Sequence, residues 1–149
     1  MGAYLRKYEL VCEKSANYHI ASRISEPGNI ADILVNSIGV DKYMQEHFSI
    51  FVLDTKLNVV GYHEISRGTL NSSPVHPRDV FQAAIATPKC AAIIVTHNHP
   101  SGDPTPSRDD IELTKRLING GEILGVPVMD HIITGDNNYI SLKEYTDLF

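Results

Sequence analysis

The stretch CAAIIVT, residues 90–96, is apolar almost without interruption. A run this short and this apolar suits a strand buried on both faces in the middle of a sheet. Two further runs, HFSIFVLDT (47–55) and VVGYHEIS (59–66), are rich in β-branched and aromatic residues, and KLN (56–58) turns the chain between them, which predicts a hairpin. VPVMDHIIT (126–134) reads as another strand, after which GDNN turns the chain into YISLKEY. Near the start, YLRKYELVCE (4–13) alternates loosely and predicts a strand, with 18–24 as its hairpin partner.

Helical spacing separates these runs. SEPGN (25–29) is a helix-start signal, Ile30, Ile33, Leu34 and Ile38 follow at the helical period, and Gly39 is placed to end the helix. HPRDVFQAAIAT (76–87) opens on a proline suited to a first helical turn. PSRDDIELTKRLINGGEILG (106–125) predicts a helix from Ser107 to about Asn119, with Gly120 and Gly121 near its end. The order of elements predicts an α/β (α+β) single domain, a mixed central β-sheet flanked by helices, with 1–24 as a β extension and 25–149 as the domain proper.

Composition narrows the function classes. With 149 residues, 42% of them hydrophobic, the chain can bury a core without disulfide or metal staples. A formal net charge of -5 argues against a broad basic face for nucleic acid. Cys12 and Cys90 form no C-x-x-C pair and read as reduced thiols, Cys90 as a small buried residue. No apolar run approaches the roughly 20 residues of a membrane span, and no signal-peptide h-region opens the chain, so the expected location is the cytoplasm.

The candidate chemistry lies just after the central strand. His97 and His99 are two residues apart at its C-terminal end, so both imidazoles face one side of an extended chain. Pro100, Gly102, Pro104 and Pro106 stiffen the loop that leads to a helix at Ser107, and Asp110 lies in that helix's first turn. Two imidazoles and a carboxylate, with a fourth position left for water, make the ligand set of a catalytic zinc. H-x-H alone is a weak signal, and Ser107 with Asp110 alone fits a capping box, but the combined spacing is specific. The base that such a site needs is sought among outlying carboxylates. Glu64, in an otherwise apolar strand, is one candidate, although alternation also lets it face solvent, and His63 must then face the other way. Asp130-His131 could orient a ligand, but a structural, hydrogen-bonded role is favoured. Arg78 is expected in an ordinary salt bridge, and GTLNSS (68–73) is placed as a wall of the cleft.

Glu64, His97-Asn98-His99-Pro100, Ser107 and Asp110 together resemble the JAMM motif of the JAB/MPN metalloprotease superfamily. The wider text GTLNSSPVHPRDVF, HNHPSGDPTPSRDDIELTKRL and MDHII is similar to the RadC family, over roughly residues 25–146. The resemblance implies a JAB/MPN-like (cytidine-deaminase-like) architecture and one Zn2+ per chain held by His97, His99 and Asp110. It also implies Glu64 as the base that holds and deprotonates the water, Ser107 as a donor to the oxyanion, and hydrolysis of peptide or isopeptide bonds in a peptide or protein substrate. RadC proteins carry a DNA-repair label and commonly have a helix-hairpin-helix segment before this domain. Only about 25 residues precede the matching region here, so the short form is expected and nucleic acid is not the favoured partner. Asn98, where JAMM enzymes often have serine or threonine, is expected to matter little for the ligands. Three functions compete: a zinc peptidase or isopeptidase, a non-catalytic zinc-binding scaffold, and a DNA-repair-associated factor. The full set of motif residues favours the first. The H-x-E and P-C-x-x-C signature of zinc deaminases and the H-E-x-x-H of zincins are both absent.

Overall fold

A computed structural model describes residues 5, 7, 23–68 and 75–149. All but residues 5 and 7 of the strand expected at 4–13, nearly all of its partner, Cys12 and all but the first residue of GTLNSS lie outside the described residues. Helix α1 (Pro27–Asp32) runs on through a wider π turn (Ile33–Ile38) and stops at Gly39, whose φ of 81° only glycine adopts freely. A short 3-10 turn (Val40–Lys42) leads into the hairpin of β1 (Glu46–Leu53) and β2 (Val59–Gly68). Then come α2 (Pro77–Ala86), β3 (Ala92–Asn98), α3 (Arg108–Leu124) and β4 (Val128–Thr134). The chain closes with β5 (Tyr139–Ser141) and α4 (Leu142–Tyr145).

Among the described residues the sheet has five strands in the order β2-β1-β3-β4-β5. Only β3 and β4 are parallel, and α3 carries the crossover between them. The apolar run at 90–96 thus forms the centre of the sheet, and every residue of β3 is buried. Alternation along the central strands divides the core into two layers. Phe48, Ile50, Val52, Ile93 and Val95 pack with Val80, Phe81 and Ala84 of α2 and Leu117 of α3. Phe51, Leu53, Ala92 and Ile94 pack with Ile30, Ile33 and Leu34 on the other face. The architecture is a mixed α+β domain, as expected, and the carboxyl end of β3 opens beside the first turn of α3. In open α/β sheets that is where ligands bind. Among the described residues no helix is long and apolar enough to cross a membrane.

Helix α3 differs from expectation in length. It runs through Gly120 and Gly121 to Leu124 and ends at Gly125, at φ 70°. The glycine pair is a spacer, not a stop. A Cβ at Gly121 would stand 2.4 Å from the Val126 carbonyl oxygen, and one at Gly120 would stand 3.0 Å from the Phe81 ring. Gly121→Ala therefore forces α3 off the strand that follows it. The expected cost is about 1–3 kcal/mol in denaturant unfolding, the range for overpacking a core.

Candidate metal centre at the end of the central strand

Strand geometry brings the histidine pair together, and the helix cap brings up the carboxylate. The two Nε2 atoms of His97 and His99 are 2.8 Å apart. Ser107 caps α3: its Oγ accepts from the Asp110 backbone N–H at 3.1 Å, and its own N–H donates to Asp110 Oδ2 at 2.7 Å. The same bonds aim the Asp110 carboxylate, with Oδ1 3.2 Å from His97 Nε2 and Oδ2 3.4 Å from His99 Nε2. From the facing strand, Glu46 at the start of β1 places Oε1 3.7 Å from His97 Nε2 and 3.6 Å from His99 Nε2. That oxygen is buried and has no hydrogen-bond partner among the described residues.

Hydrogen bonds behind the imidazoles fix their proton positions. The Thr114 hydroxyl donates to the Asp110 carbonyl at 2.6 Å, so toward His131 Nδ1, 2.6 Å away, it can only accept. His131 therefore carries its proton on Nδ1 and accepts at Nε2 from His97 Nδ1, 2.8 Å away. His99 Nδ1 lies 2.8 Å from the Asp103 carbonyl oxygen, which can only accept. Both histidines of the pair thus have their Nδ1 protons engaged, and each turns an Nε2 lone pair toward the other. Two lone pairs at 2.8 Å, faced by Asp110 and an unpartnered Glu46 oxygen, need a positive charge among them. Glu46, His97 and His99 each offer a ligand atom, all within 4.8 Å of one another, and Asp110 borders both histidines.

The titration directions express the same demand. Burial alone would raise Asp110, but the His97 and His99 rings beside it hold it well below the usual carboxylate range. Burial alone would lower His99, but Asp110 and the Asp103 carbonyl raise it. Full burial, with His97 adding to it, keeps His131 well below the ordinary histidine range and therefore neutral. Burial raises Glu46 against the pull of the two histidines, so of the two carboxylates Glu46 is the one suited to accept a proton.

A family model described as "RadC-like JAB domain" matches residues 24–147. The chain belongs to that family. Among similar proteins, a "UPF0758 protein" of Desulfitobacterium hafniense is 52% identical over 122 residues, covering 81% of this chain and 52% of the relative. One of Clostridium perfringens is 44% identical over 138 residues, 90% of this chain and 60% of the relative. One of Methanococcoides burtonii is 53% identical over 100 residues, 67% of this chain and 43% of the relative. The chain spans about half the length of these curated relatives.

Within this RadC-like JAB domain, His97, His99, Asp110 and Ser107 come together as the motif spacing predicts. Glu64 does not join them. Its carboxylate accepts from Arg67 Nε at 2.8 Å and Arg67 Nη2 at 3.2 Å, and lies 3.2 Å from His47 Nδ1. His47 neighbours Glu46 in β1 and therefore points to the opposite face of the sheet. Glu64 follows it there, whereas His63 turns toward α2 and pairs with Thr87 Oγ1 at 2.7 Å. The carboxylate beside the histidines is Glu46. Its signal was its place just before the run HFSIFVLDT, in the same alternation as the inward-facing Phe48 and Ile50. His131 also does more than fill the core, because it braces His97 from behind. Arg78 lies 3.5 Å from Asp79 in an exposed ion pair, as expected. Cys90 is half-buried against the α2 layer.

Proposed function

We propose that the chain is a metal-dependent hydrolase of peptide or isopeptide bonds, with one Zn2+ held by His97, His99 and Asp110 and with Glu46 as the base. The observation that carries this reading is the opposed pair of Nε2 lone pairs at 2.8 Å, with proton positions fixed from behind and with two carboxylates in front. Imidazole and carboxylate donors suit zinc, and Glu46 and Ser107 beside them suit hydrolysis. When bound, zinc supplies Lewis acidity toward a carbonyl oxygen and makes a water more acidic.

The protein's own groups supply the remaining work. Glu46, raised by burial, takes a proton from the attacking water and returns it to the departing amine. Ser107 Oγ accepts from the Asp110 N–H, which leaves its own proton free to donate to the oxygen that gains charge. The His131–Thr114 pair keeps the His97 tautomer fixed throughout. The proposed substrate, a peptide or protein amide, is the one the family resemblance implies, and the acidic chain makes nucleic acid the less favoured partner. The test is a panel of peptide and lysine-isopeptide substrates offered to the zinc-loaded protein. The expected result is cleavage that a chelator abolishes and added zinc restores. A fully zinc-loaded protein that binds members of the panel and cleaves none of them is instead a zinc-holding binding module.

A further inference from the structure

The residue between the two histidines faces away from the site. Asn98 ends β3 and is 5% exposed. The antiparallel ladder between β1 and β3 stops one residue earlier, at Phe48 opposite His97. One more step in that register would set His47 opposite Asn98, and a second would set Glu46 opposite His99. The β1 ladder takes neither step, while β3 stays tied to its other neighbour, where the His99 N–H donates to the Thr134 carbonyl at 2.8 Å. The side chain of Asn98 replaces the missing rungs. Its Oδ1 accepts from the His47 N–H at 2.7 Å, and its Nδ2 donates to the Gln45 carbonyl at 3.0 Å.

Those two peptide groups are the ones on either side of Glu46. A side-chain amide offers one acceptor and one donor at fixed separation, so it grips both at once. It also adds side-chain length where a continued ladder would bring the strands to about 4.8 Å. Glu46 and His99 would then be direct neighbours, with little room between their polar ends.

We propose that Asn98 is a positioning residue: its amide clamps the two peptides that flank Glu46 and so sets the distance of the Glu46 carboxylate from the His97–His99 pair. The consequence for chemistry rests on the reading of Glu46 as the base, but the geometric claim stands without it. Loss of the clamp does not free the strand, because Glu46 stays paired with Gly68 of β2, and His47 stays stacked on Tyr43 at 4.0 Å. Asn98 variants are therefore expected to fold.

The test has two arms. The first is the crystal structures of Asn98→Ala and of Asn98→Asp, beside the wild type. Asn98→Asp keeps the acceptor for His47 and loses the donor to Gln45. The expected result is a Glu46 carboxylate moved by about 1 Å, a displacement that can cost about 10²-fold in rate, with the histidine pair and Asp110 unmoved. The second arm is the visible absorption spectrum of the cobalt-loaded protein. Asn98→Ala should change it in the same sense as Glu46→Gln, and the double variant should add nothing to Glu46→Gln alone. A merely structural asparagine would lower the melting temperature and leave the cobalt spectrum unchanged. Glu46 held at its wild-type distances in both variants overturns the proposal. If the wild type takes up no cobalt or zinc, the metal reading falls, and the crystal structures still decide the clamp.

Discussion

Glu46→Gln is expected to lower hydrolytic turnover by about 10²–10⁴-fold with the metal retained, the usual weight of a positioned base. Glu64→Gln is expected to leave turnover within about twofold, since a half-exposed ion pair with Arg67 carries little energy. The contrast follows from one feature of strands: neighbouring residues face opposite sides of the sheet. Glu46 lies on the face of Phe48, Ile50 and the α2–α3 layer, where His97 also points. Glu64 is locked on the other face between Arg67 and His47, and Arg67 is the first cause of its lowered pKa. A lowered carboxyl is a poor proton acceptor, and a raised one such as Glu46 is a better one. Steady-state rates beside metal analysis of each variant decide the assignment. Loss of turnover in Glu64→Gln with full activity in Glu46→Gln would reverse it.

The second large effect is expected at His131. It is fully buried and links His97 to Thr114, and Thr114 bonds to the backbone of Asp110. One imidazole therefore ties the end of β3 to the first turn of α3. His131→Ala removes the acceptor for His97 Nδ1–H and leaves a cavity beside Phe48, whose ring packs 5.8 Å from that of His131. Loss of such a supporting partner typically weakens metal binding by about 10–100-fold. A buried donor left unmatched, together with the cavity, costs about 2–5 kcal/mol of stability. Competition titration against a chelator reads the first effect, and denaturant unfolding of the metal-free protein reads the second. Unchanged metal affinity in a destabilised His131→Ala would reduce His131 to a packing residue.

The sequence made legible what is local. His97, His99, Ser107 and Asp110 occupy one strand end, one loop and one helix turn, so spacing alone brings them together. The buried β3 and the β1–β2 hairpin followed from apolar runs and turn residues for the same reason. Glu46 and His131 arrive from separate strands, and their approach to His97 depends on which strands pair with β3 and in what register, which periodicity within one strand does not contain. Glu64 was the more visible acid because it interrupts an apolar run, yet its register with Ser49 sends it to the other side. Gly120 and Gly121 looked like a helix end because glycine often ends helices, and only the approach of Val126 and Phe81 shows that they are spacers.

The proposed function requires one metal ion held by the opposed imidazoles and their carboxylates. Elemental analysis of the protein purified without a histidine tag, beside Asp110→Ala, tests it most directly. About one zinc per chain is expected in the wild type, and loss of that zinc in the variant. A wild type that carries no metal and takes up no zinc on titration, or an Asp110→Ala that keeps its full complement, would contradict it.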